Sequence, residues 1–520
     1  MVESELKYPA GEQNFPNIRE EKKVYIDKTG FVYNLVNNNK YLFLARPRRF
    51  GKSLLLSTIQ AYFEGRRDLF EGLEIMNLEK EWRKYPVLNL ELSRISTEST
   101  DSLKAGLNQQ FSLWEEVLGI VNTNLDFASR FSTIIIESYK KTGERVVILI
   151  DEYDNPLINT LHKQEIHEAN RELLKSIYSN LKALDGYIKF AMLTGVSRFS
   201  KMSIFSGLNN LTDITFDNRY AEICGFTVEE IRKFLWPGVE KMAEKMGCSA
   251  EEALGKLKEY YDGYHFTSEC RDLYNPYSLL RALDKSSIED FWFNTGTPSF
   301  LIEKLKASKT PFLKLFNSYS REISLANPDM AFSSPIALMF QTGYLTIKEY
   351  NAESRRYKLG IPNLEVEQAL FDHLLAAESG YDGFESTELL WDMKDALREG
   401  RTEDFMKQLR SFLAGIPANI NPMKMTELNF ENTLYVLLKA LGFEVNAEEW
   451  TSSGRIDLLI KTKGFIYVME LKFDGTAEEA LKQIEEKGYT LPYESDGRKI
   501  YKIGVNFSSQ TRTVSDWLIE

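Results

Sequence analysis

Several features that would narrow the function of this chain are scarce or absent. Only three of its 520 residues are cysteines (Cys224, Cys248 and Cys270), and they are too few and too scattered for a disulfide framework. The four histidines form no zinc-binding pattern. No apolar run has the length of a membrane span, and the N-terminus does not resemble a signal peptide. We therefore expect a cytoplasmic protein with reduced thiols and no membrane partner.

An excess of positive charge is also missing. The net charge is −12, which excludes a protein that binds polyanions over its whole surface. Any contact with nucleic acid must come from local patches. The chain is 43% hydrophobic and 27% charged, a composition typical of soluble globular proteins, and its length suggests about two to four domains.

The most informative stretch is Tyr41-Leu-Phe-Leu-Ala-Arg-Pro-Arg-Arg-Phe-Gly-Lys-Ser-Leu-Leu-Leu56. It predicts a strand, a basic turn and a helix to about Phe63, which is the order of a phosphate-binding loop. Backbone N–H groups and the positive helix end would hold phosphates, Lys52 would reach the β and γ phosphates, and the Ser53 hydroxyl would bind Mg²⁺. The predicted ATP-binding residues of this loop are Arg46, Pro47, Arg48, Arg49, Phe50, Gly51, Lys52, Ser53 and Leu54.

A second stretch, Arg145-Val-Val-Ile-Leu-Ile-Asp-Glu-Tyr-Asp154, predicts a buried strand that ends in acids. Asp151 would lie beside the phosphate-binding loop and hold Mg²⁺, and Glu152 would polarise the attacking water. The alternative is an ordinary buried strand followed by a solvated turn. Together the two stretches indicate a nucleoside triphosphatase.

The strand predicted at Ile188–Gly195 follows helices and completes an alternation that indicates a parallel α/β sheet. Thr194 at its end is a candidate sensor of the γ-phosphate, or a plain strand-end threonine. Arg198 just beyond it is a candidate arginine finger on its own or a neighbouring nucleotide, or a surface arginine. Lys28 and Arg19 read as solvated surface charges, with nucleotide contact as the alternative.

The region 226–415 has mostly helical patterns, and about 334–375 the order helix, strand, turn, strand, helix fits a winged helix. Its wing tip would be 351–355, which would bring Lys348, Arg355 and Arg356 near DNA phosphates. Winged helices also act as packing modules, so DNA contact is one of two interpretations.

A new unit begins after a linker rich in Pro and Asn. Its predicted αβββαβ order, with Asp457 followed by Glu470-Leu-Lys472, is the arrangement of the PD-(D/E)XK nuclease core. Asp457 and Glu470, with the backbone carbonyl of Leu471, would bind Mg²⁺ or Mn²⁺. Lys472 emerges on the same strand face as Glu470 and would orient or deprotonate the attacking water.

Two further residues extend this predicted site. Glu431 matches an additional acidic position of the nuclease superfamily, and Gln483, with Tyr489 six residues on, resembles the helix motif of its RecB-like branch. The alternatives are a surface hairpin with solvated charges and a nuclease fold retained as a binding platform. Residues 420–520 contain 12 Lys and Arg against 16 Asp and Glu, a net charge of −4, so no basic stripe for DNA is visible.

Four phrases together resemble the bacterial AAA-ATPase-like family, in which the ATPase is fused to a PD-(D/E)XK nuclease-like domain. They are Arg46-Pro-Arg-Arg-Phe-Gly-Lys-Ser53, Leu149-Ile-Asp-Glu-Tyr-Asp154, Leu193-Thr-Gly-Val-Ser-Arg-Phe-Ser-Lys201 and Ser206-Gly-Leu-Asn-Asn-Leu211. The resemblance implies that Arg46 in place of glycine is a family variant of the loop. Taken with the patterns above, it predicts an α/β fold with an additional-strand, AAA-like P-loop domain at 1–225, a helical and winged-helix-like middle at 226–415, and a restriction-endonuclease-like domain at 423–520.

The expected function is ATP hydrolysis coupled to metal-dependent endo- or exonucleolytic cleavage of DNA, in defence or repair. The expected cofactors are ATP and Mg²⁺, with Mn²⁺ as an option in the nuclease site, and self-association is left open. One alternative is a nucleotide-switched binding or signalling protein whose nuclease-like domain binds nucleic acid or protein without cutting. Another is an ATPase that remodels protein partners.

Overall fold

A computed structural model describes residues 6–121, 126–161, 163–198, 210–269, 271–292, 334–379, 387–416 and 426–520, with a few residues between 301 and 325. Outside this part lie residues 199–201 and 206–209 of the family phrases, including Asn209. Cys270 and residues 423–425, the start of the predicted third domain, also lie outside it. The chain forms two compact units, Met1–Phe300 with Ser318–Glu365, and Leu301–Asn317 with Val366–Glu520.

The first unit is built on a five-stranded parallel sheet in the order β2-β3-β4-β1-β5. One additional strand, β4, separates the strand before the phosphate-binding loop (β1) from the strand that ends in Asp151 (β3), which confirms the predicted α/β fold class. The strands are β1 Tyr41–Ala45, β2 Val87–Glu91, β3 Val146–Asp151, β4 Ile188–Gly195 and β5 Thr212–Asp213.

The sequence patterns of the central strands explain their position. Every residue of β1 and β3 is buried, as the continuous apolar runs predicted, because helices cover both faces of the sheet. The core on one face includes Ile148 and Leu193 of the sheet with Phe111, Phe131 and Leu174 of the helices. β5 has only two residues and was not predicted.

The described part of the first unit contains thirteen α-helical segments, apart from short 3-10 and π-helical turns. α5 begins with a capping box at Ser99 and ends at Gly119, whose φ of +72° is the left-handed conformation that glycine adopts readily. The segments are α1 Phe15–Glu20, α2 Thr29–Asn38, α3 Lys52–Phe63, α4 Ile75–Leu78, α5 Thr100–Leu118, α6 Phe127–Thr142, α7 Asn155–Ile158, α8 Gln164–Ala183, α9 Val228–Glu230, α10 Trp236–Met246, α11 Ala250–Tyr261, α12 Pro276–Lys285 and α13 Pro335–Thr342.

The N-terminal segment packs against the helices that follow the sheet. Ile26 is buried among Leu257, Tyr274 and Leu280, and Tyr8 and Val24 pack on the same cluster. This packing brings the segment 8–26 and α12 together beside the phosphate-binding loop.

The segment predicted as the end of a winged helix has the expected order. α13 is followed by β7 Thr346–Asn351 and β8 Arg356–Gly360, which pair with the short β6 Tyr319–Ser320 in the order β6-β8-β7, and then by α14 Leu364–Ser379. The Lys348 ammonium donates to the carbonyl of Pro362 at 3.0 Å. Lys348, Arg355 and Arg356 are exposed, and their contact with DNA stays a prediction.

The second unit contains a mixed five-stranded sheet in the order β13-β12-β11-β10-β9. β11 and β12 are parallel, and the other neighbours are antiparallel. The last strand, β13, was not predicted. The elements are α15 Thr387–Glu399, α16 Thr402–Gly415, α17 Glu427–Ala440, β9 Glu444–Trp450, β10 Arg455–Lys461, β11 Phe465–Phe473, α18 Ala477–Glu486, β12 Lys499–Ser508 and β13 Thr513–Ile519. Among the described residues, no helix has both the length and the apolar composition that a membrane span requires.

A buried ion pair joins the helices on one face of the first sheet. The Arg130 guanidinium donates to both carboxylate oxygens of Glu115, at 2.8 and 2.7 Å, and to Asn108 at 2.5 Å. The side chains of Arg130 and Glu115 are 6% and 7% exposed. Removing one partner of such a pair leaves an uncompensated buried charge.

We predict that Arg130→Ala lowers the free energy of unfolding by about 3–5 kcal/mol, measured by urea denaturation with circular dichroism. The matched control is Arg83→Ala, which removes an exposed pair with Glu144 and should change that free energy by less than about 1 kcal/mol. Equal effects of the two substitutions would contradict the buried pair.

Candidate functional site

The loop between β1 and α3 has the backbone of an anion-binding turn. Gly51, directly before the helix, has a φ of +90°, and Arg49 has a φ of +68°. No N–H group of residues 48–51 donates a hydrogen bond to another described residue. The Lys52 ammonium donates to the carbonyls of Arg46 and Pro47, at 3.0 and 3.1 Å. Unpaired N–H groups beside a lysine at a helix N-terminus suit phosphate oxygens.

The Arg46 side chain faces away from this turn. It is 1% exposed, and its guanidinium donates to the carbonyls of Ala45 and Thr215, both at 2.9 Å, and lies over the Phe266 ring at 4.4 Å. The arginine that replaces the first glycine therefore anchors the loop to the protein. Any contact of Arg46 with nucleotide would therefore come from its backbone. The sequence did not predict this direction of the Arg46 side chain.

The ends of β3 and β4 bring the predicted acidic residues and the sensor together. The Thr194 hydroxyl donates to Asp151 at 2.5 Å, and the N–H of Glu152 donates to the same oxygen at 3.0 Å. Glu152 has a φ of +51°, a strained conformation for a residue other than glycine. Burial raises the pKa of the Glu152 carboxyl, and the nearby Lys52 charge opposes that shift.

Two residues that the sequence analysis did not single out hold these strand ends together. The Asp154 carboxylate accepts hydrogen bonds from the N–H of Val196 at 3.1 Å and from the N–H and hydroxyl of Ser197 at 2.6 and 2.5 Å. The Tyr153 hydroxyl donates to the carbonyl of Ser197 at 2.9 Å. The turn after β3 is thus fixed to the turn after β4. In the sequence, the acidic phrase Asp-Glu-Tyr-Asp was the signal that could have pointed to these two residues.

Arg198 is engaged within its own unit. Its guanidinium forms an ion pair with Asp213, with Nε at 2.8 Å, and lies over the Phe216 ring at 4.9 Å. The side chain is only 10% exposed, so it is not the surface arginine of the alternative interpretation. In this arrangement the guanidinium contacts β5 rather than the cavity at the loop.

A cavity of about 410 Å³ lies at the phosphate-binding loop, a size typical of small-molecule sites. Of the predicted ATP-site residues, it is lined by Arg48, Arg49, Phe50, Gly51, Lys52, Ser53, Leu54 and Glu152, and not by Arg46, Pro47, Asp151, Thr194 or Arg198.

The wall opposite the loop is largely apolar and comes from distant parts of the chain, so sequence reasoning missed it. It includes Val24, Tyr25, Phe226, Tyr277 and Leu280. The guanidinium of Arg49 lies over the Tyr277 ring at 4.8 Å. Lys28 also lines the cavity, where its ammonium pairs with Glu230 at 2.5 Å, so its prediction as a solvated charge is wrong. Arg19 lies elsewhere and donates to the carbonyl of Leu69 at 2.8 Å.

The second unit brings its own predicted residues together on β10, β11 and α18. The Lys472 ammonium lies between Glu470 at 3.2 Å and the side-chain oxygen of Gln483 at 2.8 Å. The Asp457 carboxylate accepts the N–H of Leu471 at 2.9 Å. The Gln483 amide reaches the hydroxyl of Tyr489 at 3.5 Å, at the limit of a hydrogen bond.

The protein compensates the negative charges of the acidic side chains in this cluster poorly. Burial raises the pKa of Glu470 to about 7, and the neighbouring Asp457 charge adds to this rise. Burial and the Asp457 charge likewise raise the pKa of Glu431 on α17 to about 7, and burial raises that of Asp457. Buried oxygens of Glu431 and Glu470 have no hydrogen-bond partner among the described residues.

A divalent cation fits this donor set. Carboxylate oxygens are the ligands that Mg²⁺ and Mn²⁺ prefer, and a cation would compensate charges that burial disfavours. Asp457 and Glu470 would be its side-chain ligands. Within the described ranges, no group of three or more His, Cys, Asp and Glu side chains is arranged as a ready metal site. A cation here would therefore need backbone or water oxygens in addition.

Comparison with known proteins connects both sites to one family. A family model described as a predicted AAA-ATPase matches residues 9–205, and one for the PD-(D/E)XK nuclease superfamily matches residues 425–517. A protein of Azotobacter chroococcum mcd 1, described as "Uncharacterized protein in vnfD 5'region", is 35% identical over 527 residues, which cover 99% of each chain. The chain belongs to the AAA-ATPase-like family.

This AAA-ATPase-like protein thus combines an ATPase-type domain with a nuclease-superfamily domain. A chain in the solved structure of Drosophila ORC bound to AT-rich DNA and Cdc6 is 11% identical to it and aligns with 69% of this chain and 94% of that one. The TM-score of that match is 0.20, too low to indicate a shared arrangement of the whole chain.

Gly195 allows a direct test of the contact between the β3 and β4 ends. A Cβ atom on Gly195 would lie 2.6 Å from both the Asp154 carboxylate and the Tyr153 ring, closer than real Cβ contacts. We predict that Gly195→Ala lowers the rate of ATP hydrolysis at least about tenfold, because it displaces the turn that carries Glu152.

The matched control is Gly186→Ala, two residues before the first residue of β4, where an added Cβ would meet nothing within 4 Å. That variant should hydrolyse ATP as the unsubstituted protein does. Steady-state phosphate release measures both, and an unchanged rate in Gly195→Ala would show that the contact does not govern the site.

Proposed function

We propose that the protein hydrolyses ATP in its first unit and uses its nuclease-superfamily domain to cleave DNA by a metal-dependent reaction. The observation that supports this most is the grouping of residues at each site. Lys52, Glu152 and the Thr194–Asp151 pair lie at one edge of the parallel sheet, and Lys472 lies between Glu470 and Gln483 near Asp457 in the second.

In the ATPase site the residues divide the work of phosphoryl transfer. The free N–H groups of the loop and the Lys52 ammonium bind the β and γ phosphates. Ser53 and Asp151 would hold the Mg²⁺ that accompanies the nucleotide and neutralises charge on the phosphates. Glu152, with its raised pKa and its place in the cavity wall, orients the attacking water and accepts its proton. Thr194 holds Asp151 in position.

In the nuclease site Asp457, Glu470 and the carbonyl of Leu471 would hold the Mg²⁺ or Mn²⁺ that stabilises charge on the scissile phosphate. Lys472 orients the attacking water, and its own position is set by Glu470 and Gln483. Glu431 adds a further acid whose charge the cation would compensate. A role in defence against foreign DNA or in repair would suit this pair of activities.

The second candidate is a nucleotide-switched binding protein whose nuclease-like domain does not cut. It is favoured by the net charge of −4 over residues 420–520, which opposes DNA binding.

Cleavage assays on single-stranded, duplex and branched DNA and on RNA, with Mg²⁺ or Mn²⁺ and with or without ATP, separate the two candidates. We predict that Lys472→Ala abolishes cleavage but leaves ATP hydrolysis intact, whereas Lys52→Ala abolishes ATP hydrolysis and alters cleavage. The matched controls are Lys461→Ala and Lys40→Ala, which remove lysines that pair with Glu444 and Asp185. Intact ATP hydrolysis with no cleavage under any condition would favour the binding protein.

A further inference from the structure

A buried tryptophan from the middle of the chain is bound to the phosphate-binding loop. The indole N–H of Trp292 donates to the carbonyl of Arg48 at 3.1 Å. Trp292 is 6% exposed, and its ring packs edge-on against Tyr344 at 5.2 Å between centroids. On the neighbouring peptide, Pro47 is packed against Gly343, where an added Cβ would lie 2.7 Å from the proline ring.

This hydrogen bond fixes the orientation of one peptide group of the loop. In a planar trans peptide, the carbonyl of one residue and the N–H of the next point in opposite directions. The described backbone contains no cis peptide bond. Since the Arg48 carbonyl is directed at Trp292, the N–H of Arg49 is directed away from Trp292, and it is one of the loop groups that no described residue accepts.

Trp292 is itself held by a buried carboxyl group. One oxygen of Glu365 accepts the N–H groups of Phe291 and Trp292, at 2.6 and 2.7 Å, and the other accepts the hydroxyl of Ser278 at 2.8 Å. Glu365 is 1% exposed, and burial raises the pKa of its carboxyl to about 7. None of these residues lines the cavity, so they act on it only through the loop.

We propose that Trp292 and Glu365 are positioning residues of the nucleotide site, which hold the peptide between Arg48 and Arg49 so that its N–H group is ready for a phosphate oxygen. This inference rests on the proposed nucleotide binding. Leu364 and Glu365, the first two residues of α14, are also the last residues of the first unit, and the rest of α14 belongs to the second unit.

The first test removes the indole N–H and keeps an aromatic ring. We predict that Trp292→Phe weakens the binding of a non-hydrolysable ATP analogue about fivefold, measured by isothermal titration calorimetry. A fivefold loss of affinity corresponds to about 1 kcal/mol, as expected when the peptide can rotate and its hydrogen bond to the charged phosphate is partly lost. The matched control is Trp391→Phe on α15, which alters a 55%-exposed tryptophan and should bind as the unsubstituted protein does.

The second test separates a positioning role from an effect of charge. In Glu365→Gln the side-chain oxygen can still accept both N–H groups, and the amide can donate to Ser278. We therefore predict that Glu365→Gln retains the affinity for the analogue, whereas Glu365→Ala weakens it about fivefold or more. Glu367→Gln, which removes a charge from the same helix where it pairs with Lys439, is the control and should change nothing.

The outcomes distinguish the inference from the function on which it rests. If the unsubstituted protein does not bind the analogue, the proposed ATPase site fails. If it binds and Trp292→Phe binds equally well, or if Glu365→Gln is as weak as Glu365→Ala, the positioning role is overturned. Thermal denaturation of each variant, followed by circular dichroism, checks that the fold is intact.

Discussion

The N–H groups of the phosphate-binding loop have to stay unpaired so that they can receive a phosphate group. The other polar groups of the loop form hydrogen bonds with neighbouring residues. Unpaired buried backbone groups are costly, so a loop of this kind is stable only if its outward side is well bound. The Arg46 guanidinium binds the carbonyls of Ala45 and Thr215, and the Trp292 indole binds that of Arg48. The Lys52 ammonium donates to the carbonyls of Arg46 and Pro47, and a phosphate group that binds in the loop would compete with them for this ammonium.

This constraint explains why the nucleotide site depends on residues far from it in sequence. The parallel sheet aligns the ends of β1, β3 and β4, which suffices to bring Lys52, Asp151 and Thr194 to one edge. It does not fix the loop itself. That task falls to residues that lie beyond the sheet in the chain, among them Thr215, Trp292 and Gly343.

The sequence predicted those parts of the structure that depend on local pattern. β4 has the predicted bounds, and β1 and β3 lie within the predicted stretches 41–56 and 145–154, because unbroken apolar runs are specific for strands buried on both faces. β5 has two residues, and most of β13 is exposed or half-buried, so neither has a comparable pattern. Arg46 was assigned to the nucleotide by its place in the motif, but the direction of its side chain is decided by tertiary contacts. Asp154 and Trp292 were missed for the same reason.

The acidic composition of the C-terminal domain is a weaker argument against DNA than its net charge suggests. Three of its 16 acids are Glu431, Asp457 and Glu470, and burial raises the pKa of each, that of both glutamates to about 7. Near neutral pH the two glutamates therefore carry less negative charge than a formal count assigns to them. A bound divalent cation would cancel two further negative charges at the place where the phosphate must lie. The electrostatic field that a nucleic-acid backbone meets at this site is then set by Lys472 and the cation. The remaining acidic side chains act from the exposed surface, where salt screens their charges.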